Sequence, residues 1–474
     1  MSQYPSYASY YLREFAGVSS ATFKVPATTS QPTGPNQQIA FNLPSNTLVS
    51  MKDVRLIFSA KASGGAFARL PAARDLIERI QVNMGGIQVD SGCSHQNLLA
   101  RALDNMKAVE ADPISQKPNV SVDYDGRTGE RMVEESSEGA VFPLVEDSGD
   151  VKFALPLGSF FETVQPNMID MSLLPEVQVI IYLAPQVVCP APQGINLLDY
   201  SNPTDMFTAV NGIPTSFEIR NYHLLVPCYD IADGMYSQVI QSRMSSEGFL
   251  ELMWAGYDAF TDTFTGTTRV ASAASSLDKL ICCFREPNWS STSGPVAISG
   301  YNNTHDFASA DVSEHETHGH DVKTPIVGVE QALLGQSKFI PNAFNMPTPS
   351  DGQGADPELS ISVNSVRYPQ FNAPLSLWYE LSKDAFQVDR TLSKTYDEWA
   401  KHRCQLAVRF NLPQSSALRA KSGLDLRGSN ASIILEKAGG GDLKMGAAAV
   451  KVVIFAESSR ILRVGVGKQL QVIL

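Results

Sequence analysis

Three imidazoles fall within six residues of the segment HETHGHD: His315, His318 and His320. This is the chain's nearest approach to metal chemistry, because neutral imidazole binds zinc and copper. A metal site also needs a further ligand at a fixed spacing, and the Gly/Ser/Asn-rich surroundings offer none. The expectation is a solvated loop, with no metal assigned. GVGKQ, from Gly465, has the look of a phosphate loop. It lacks the upstream glycine, has no Ser or Thr after Lys468, and lies in a strand-like pattern near residue 474. A phosphate loop needs a strand before it and a helix after it, so this segment reads as a turn. GGGDLKMG, from Gly439, reads as a flexible turn between strands. No GxSxG, HExxH or kinase-like set occurs, and the carboxylates show no spacing that would pair them for acid–base work. No catalytic, cofactor-binding or metal-ligating residue is therefore assigned, and no cofactor.

The six cysteines are Cys93, Cys189, Cys228, Cys282, Cys283 and Cys404, scattered and without a CxxC spacing. Free, mostly buried thiols in a reducing compartment are expected. Asn-x-Ser/Thr triplets at Asn119, Asn288, Asn302 and Asn430 are read as chance occurrences, since the first twenty residues lack the basic and apolar regions of a secretory signal.

The elements that would position any such residues are almost all strand-like. IERIQVNMGGIQVDSG, residues Ile77 to Gly92, alternates apolar and polar residues on both sides of two glycines. That is a hairpin pattern, because glycine supplies the positive φ of a tight primed turn. IAFNLP, DVRLIFSA, GAVFPLV, KFALPL, EVQVIIYLA and SFEIRNYHLLVPCY are similar short β-branched and aromatic runs. After Glu247 come GFLELMWAGY, LDKLICCF, ELSISVNSV, PLSLWYEL, CQLAVRF, ASIILEK, AVKVVIFA, RILRVGVG and QLQVIL. Gly/Pro/Asn/Asp clusters separate them, which predicts an antiparallel sandwich or barrel. Two helical patterns interrupt. SHQNLLARALDNMKA has Ser94 as N-cap, with Leu98, Leu99, Ala102, Leu103 and Met106 on one face. DIADGMYSQVIQSRM, near 230–244, is the second.

A chain of 474 residues is too long for one ordinary core, and 43% hydrophobic with 18% charged residues is a globular composition. The net charge of −12 disfavours wrapping nucleic acid, which requires basic surface. No apolar run reaches the length of a membrane span.

In order, these segments resemble the double jelly-roll major capsid proteins of double-stranded DNA viruses, among them the nucleocytoplasmic large DNA viruses and virophages. DLIERIQVNMGGIQVDSGCSHQNLLARAL is similar to the family's strand, Gly-Gly turn, strand and helix. FALPLGSFF followed by MSLLPEVQVIIYL resembles its Leu-Pro-Leu stretch and long strand. YHLLVPCYDIADGMYSQVIQSRMSSEGFLEL resembles the join between rolls, and SSLDKLICCF, SGLDLRGSNASIIL and VKVVIFAESSRILRVGVG resemble later strands. The likeness runs from about Leu70 onward and lies in order and spacing rather than in one motif.

The resemblance implies an all-β fold of two consecutive eight-stranded jelly-roll sandwiches with a few short helices. The divisions expected are an N-terminal arm at 1–20, a first roll at 21–230, a connecting helix at 231–245, and a second roll at 246–474 carrying a long exposed loop at about 286–350. It implies a structural protein, not an enzyme: a homotrimeric, pseudo-hexagonal capsomer tiling an icosahedral shell. Its implied partners are itself, neighbouring capsomers, minor capsid and penton proteins, and an internal membrane at the shell base, with no sequence-specific nucleic-acid binding. Its implied place is the virion, after assembly in the host cytoplasm or nucleus. The competing readings are a secreted double jelly-roll hydrolase acting on glycoproteins and a lectin-like module. The second would need a sugar platform, for which only Trp289 and Tyr301 qualify in the long loop.

Overall fold

The structure is a computed structural model. It describes residues 18–63, 76–105, 130–131, 151–158, 160–185, 216–231, parts of 240–246, 248–285, 358–386, 405–411, 423–427, 432–439, 444–445 and 448–473. The expected arm up to residue 17, the loop at 286–350 and the run GAVFPLV lie outside the described residues.

The first half holds β1 (Val18–Pro26), β2 (Gln38–Asn42), β3 (Leu48–Ser50), β4 (Arg55–Ser63), β5 (Ile77–Met84), β6 (Ile87–Asp90), β7 (Glu130–Arg131), β8 (Val151–Pro156), β9 (Met168–Asp170), β10 (Val177–Leu183) and β11 (Ser216–Ile231). The second half holds β12 (Phe249–Phe264), β13 (Thr267–Ala271), β14 (Leu277–Arg285), β15 (Glu358–Val363), β16 (Val366–Pro374), β17 (Gln405–Arg409), β18 (Ser432–Gly439), β19 (Lys444–Met445), β20 (Ala448–Gly465) and β21 (Leu470–Ile473). Helices among the described residues include α1 (Gln96–Asn105), α2 (Phe160–Thr163) and α3 (Leu375–Phe386). Helical positions at 240, 242 and 244–246 lie between the halves.

Each half folds eight principal strands into two antiparallel sheets of the same order. In the first, β1-β11-β4-β8 form one sheet and β2-β10-β5-β6 the other. In the second, β12-β20-β14-β17 face β13-β18-β15-β16. Numbered within its own half, each sheet pair reads 1-8-3-6 and 2-7-4-5. First strand therefore pairs with last, second with seventh, and so inward, as when a long hairpin is wrapped into a sandwich. That is the jelly roll, and the all-β double jelly-roll expectation holds. The short strands β3, β7, β9, β19 and β21 extend these sheets at their margins.

The turn between the fourth and fifth strands is built alike in both rolls. Gly85 and Gly86 take φ of 57° and 80°, and Asn364 and Ser365 take 51° and 70°. Two successive positive φ values make a type I′ turn, whose twist matches the strands it joins.

Apolar residues at every second position fill each sandwich. Phe58 and Phe153 stack across β4 and β8 at 5.2 Å, and Phe264 meets Phe284 edge-on at 5.9 Å. The second core is closed by Trp378, whose indole N–H donates to the Leu359 carbonyl at 3.1 Å.

Four local expectations are corrected. PLSLWYEL is not a strand but the start of α3: Leu375, Trp378, Tyr379, Ser382 and Ala385 are the buried positions, a spacing of three and four that only a helix brings to one face. AVKVVIFA and RILRVGVG are one strand, β20, running through Glu457, Ser458 and Ser459 without a break. β1 starts inside the segment read as arm, at Val18. Finally, α1 begins at Gln96, so His95 rather than Ser94 precedes it; Leu99 N–H donates to His95 O at 2.9 Å. The amide of His95 is taken instead by the Glu78 carboxylate at 3.0 Å, a cap supplied from β5.

Candidate functional site: the seam between the rolls

His315, His318 and His320 lie outside the described residues, as do Trp289, Tyr301, Cys189, Cys404, Asn119, Asn288, Asn302 and Asn430. Gly465 and Lys468 fall where β20 turns into β21: the Gly465 amide donates to Gln469 O at 2.8 Å, and Gly467 and Lys468 have positive φ. This is the expected turn. Cys93, Cys228, Cys282 and Cys283 are buried free thiols. Burial pushes the Cys282 thiol up to about 12. Among the described residues no three His, Cys, Asp or Glu side chains are grouped as a metal would require. The functional groups that do converge lie between the rolls.

The outer face of the β12-β20-β14-β17 sheet, away from its own sandwich, carries three cross-strand rows. Opposed residues of an antiparallel pair share a face, so the pairing register defines them. One row is Thr261, Val453, Cys283 and Gln405; the next is Ala259, Phe455, Ile281 and Ala407; the third is Tyr257, Glu457, Lys279 and Arg409. α1 of the first roll lies over the first row. At one end His95 Nε2 is 3.5 Å from Thr261 Oγ1. At the other, the Gln405 side-chain amide donates to the Ala102 carbonyl at 2.7 Å, fully buried. Val453, Phe455, Ile281, Cys283 and Ala407 accordingly belong to the same apolar cluster as the core of the first roll. In the third row Glu457 accepts from Tyr257 Oη at 2.9 Å and from Lys279 Nζ at 3.0 Å. Burial first, and then the Glu457 charge, hold the Tyr257 phenol well above its ordinary range.

At the edge of that sheet β12 joins the first roll through its backbone. Gln165 and Met253 exchange two hydrogen bonds, at 2.7 and 3.0 Å, and Thr163 Oγ1 accepts from the Ala255 amide at 3.1 Å. Phe160 of α2 packs edge-on against Trp254 at 5.3 Å.

Arg460 carries the charge of the seam. It is 4% exposed, and its guanidinium reaches Asp258 on β12 at 2.8 Å and Asp90, at the end of the first roll's hairpin, at 3.2 Å. Room for it comes from Gly256, where a Cβ would overlap the guanidinium. Removing two charges from water is expensive, and the pairs persist only because each is met by its partner. Cys93 lies in the same field. Burial, then Asp258, Asp90 and Glu78, push its thiol well above the ordinary value, with Arg460 opposing them. A protonated thiol with no route to water is a poor nucleophile.

None of Arg460, Asp90, Asp258, Gly256 or Gln405 is singled out by sequence reasoning. Asp90 alternates with apolar residues and reads as the solvent side of a hairpin. The structure instead bulges the pair at Val82/Asn83, which turns both Val89 and Asp90 inward and leaves Ile87 exposed. What the assembled seam can do is mechanical: it fixes two sandwiches at one relative orientation through backbone, apolar and ionic contacts at once.

No protein-family model matches the sequence, and no curated protein does. Solved structures match in fold. VP54 of the virus PBCV-1, fitted into a reconstruction of the virophage Sputnik, is 13% identical over 98% of each chain, with a TM-score of 0.52. The Faustovirus major capsid protein is 10% identical over 95% of this chain and 91% of its own, with a TM-score of 0.53. A quasi-atomic model of the PBCV-1 capsid gives 13% identity, 98% of both chains and 0.51. With the strand order found in both halves, the chain carries the double jelly-roll fold that these viral capsid proteins share.

Proposed function

We propose that this chain is a major capsid protein of a double-stranded DNA virus, a structural subunit rather than an enzyme. One observation carries the reading: two rolls of identical strand order, welded through a buried seam, are matched over 98% of both this chain and a capsid protein. The seam supports it physically. A subunit that must stand as two adjacent walls of a hexagonal tile needs its halves at a fixed angle, and Arg460, Gln405 and the Gln165–Met253 bridge resist hinging. The charges buried there meet counter-charges, Arg460 with Asp90 and Lys279 with Glu457, as in a joint.

In this reading three copies make a capsomer of six rolls with a pseudo-hexagonal outline, and capsomers tile an icosahedral shell. Its partners are neighbouring capsomers, minor capsid and penton proteins, and an internal membrane at the shell base. The protein resides in the virion after assembly in the host cytoplasm or nucleus. Sedimentation at micromolar concentration, with negative-stain microscopy of the same sample, tests it. The expected result is one species at three times the 51.5 kDa chain mass, with a six-lobed outline. Well-folded monomers at every concentration would overturn it.

A further inference from the structure

The two rolls share a topology, so any part of one has a counterpart in the other. α1 and α3 both lie between the fifth and sixth strands, and each begins nine residues after the first residue of its fifth strand (Ile87 to Gln96, Val366 to Leu375). Leu98 thus corresponds to Leu377, and Ala102 to Leu381. Their surroundings differ. Leu98 and Ala102 are 0% exposed, because α1 is closed between its own roll and the sheet of the second. Leu377 and Leu381 are only half-buried, and Glu380 and Asp384 beside them are exposed. Leu377 and Leu381 thus touch the second core on one side and keep part of their surface exposed, beside Asp384 and beside Glu380, which is paired with Lys383 at 2.7 Å.

The sheet that α1 covers also has a counterpart. In the first roll the sheet β1-β11-β4-β8 turns outward the rows Lys24, Leu225, Arg55, Pro156 and Pro26, His223, Ile57, Ala154. Leu225, Ile57 and Arg55 are half-buried and Lys24 is exposed. On the second roll the centre of the matching face, at Val453, Phe455, Ile281, Cys283, Gln405 and Ala407, is fully buried; here no described residue covers it, and it offers apolar centres with Arg55 and Lys24 beside them.

We propose that α3 of one copy packs on this face of the first roll of a second copy, as α1 packs on the second roll within the chain. Leu377 and Leu381 meet Leu225 and Ile57, while Glu380 and Asp384 meet Arg55 and Lys24. The contact is heterologous, joining unlike surfaces head to tail. Alternating with the internal contact, it carries the ring from roll to roll around the capsomer, so the inference rests on the capsomer reading and names its interface.

Charge reversal followed by charge restoration tests it. Sedimentation compares the wild-type protein, the pair Glu380→Lys with Asp384→Lys, the pair Lys24→Glu with Arg55→Glu, and all four together, with circular dichroism confirming folding. Each reversed pair should weaken self-association about tenfold or more, as like charges meet across a contact. The fourfold variant should recover most of that loss. Unmodified protein supplies a second readout: a zero-length carbodiimide should link Lys24 to Glu380 or Asp384 between chains. Trimers of undiminished affinity in both reversed pairs, or intermolecular links elsewhere but never at Lys24, would overturn the interface and leave the capsomer standing. A wild-type protein that stays monomeric would overturn both.

Discussion

β11 and β20 hold the same place in their rolls, the last strand of eight, yet they live in different surroundings. β20 is buried at every position from Val452 to Arg460, on both faces. β11 alternates: Phe217, Ile219, Tyr222, Leu224, Val226 and Cys228 are buried, while His223, Leu225, Pro227 and Tyr229 between them are half-exposed. A jelly-roll strand packs one face on its own sandwich, so the second covered face of β20 is the contribution of the first roll. The difference teaches what each half supplies. The first roll acts as lid to the second, and within one chain nothing among the described residues plays that part for the first.

Predictions that break this contrast rank by how much of the second face they remove. Phe455→Ala takes a 0% exposed ring from the covered face of β20. It should cost about 3–5 kcal/mol in urea-unfolding measurements, as large-to-small core changes do. A loss below about 1 kcal/mol would mean that the two rolls are not packed together there.

Arg460→Ala should cost nearly as much, by a different route. It takes the counter-charge from Asp90, a carboxylate only 1% exposed. Breaking one partner of a buried pair typically costs about 3–5 kcal/mol. Adding Asp90→Leu to Arg460→Met should return much of that loss, since the uncompensated buried charge goes too, and Asp258, 43% exposed, can be met by water. By contrast Arg463→Ala, which breaks an exposed pair with Glu251 at 2.8 Å, should change stability by less than about 1 kcal/mol. Equal effects at 460 and 463 would show that burial across the seam contributes nothing.

These contrasts also explain which parts were legible in the sequence. The hairpin at Ile77–Gly92 was, because period-two alternation and a Gly-Gly turn are local signals. The strand runs were legible for the same reason, and their order carried the resemblance that implied the double jelly roll. PLSLWYEL alternates over its first residues as a strand would, and only the spacing of Trp378, Ser382 and Ala385 further on distinguishes the helix α3. Within β20 the run Glu457, Ser458 and Ser459 resembles a turn and splits the strand into two apolar stretches. They remain in the strand because each finds a partner, such as Asp278 for the Ser459 hydroxyl at 2.5 Å. The seam was not legible. Asp90 and Arg460 are 370 positions apart, and no local pattern marks a charge whose counter-charge comes from the other roll.

Gln405→Leu sharpens the comparison at a single hydrogen bond. It removes the donor to Ala102 O, leaving a buried carbonyl unpaired, at a cost of about 1–3 kcal/mol. Gln405 Oε1 is itself buried without a hydrogen-bond partner, so an apolar replacement also relieves a penalty. The net loss should fall toward the low end of that range. Its signature is local: amide exchange should quicken in α1 before it does in the 2-7-4-5 sheets.

Leu225→Ser should have the smallest effect on the folded chain. Leu225 sits on β11 at the outward face, opposite Lys24 and Arg55, and is already half in contact with water. Replacing a partly solvated side chain without a buried partner changes stability by about 0.5 kcal/mol or less. Val453→Ser, on the covered outer face of β20, puts a hydroxyl where Val453 is 0% exposed and should cost several times as much. The comparison is cleanest at concentrations low enough to keep chains apart, because a second copy on β11 would give Leu225 the cover it lacks. If the two serine variants unfold at the same urea concentration in dissociated protein, the outer faces of the two rolls are equally protected within one chain, and the lid role assigned to the first roll fails. If they differ when dilute and converge as concentration rises, cover on β11 comes from another copy.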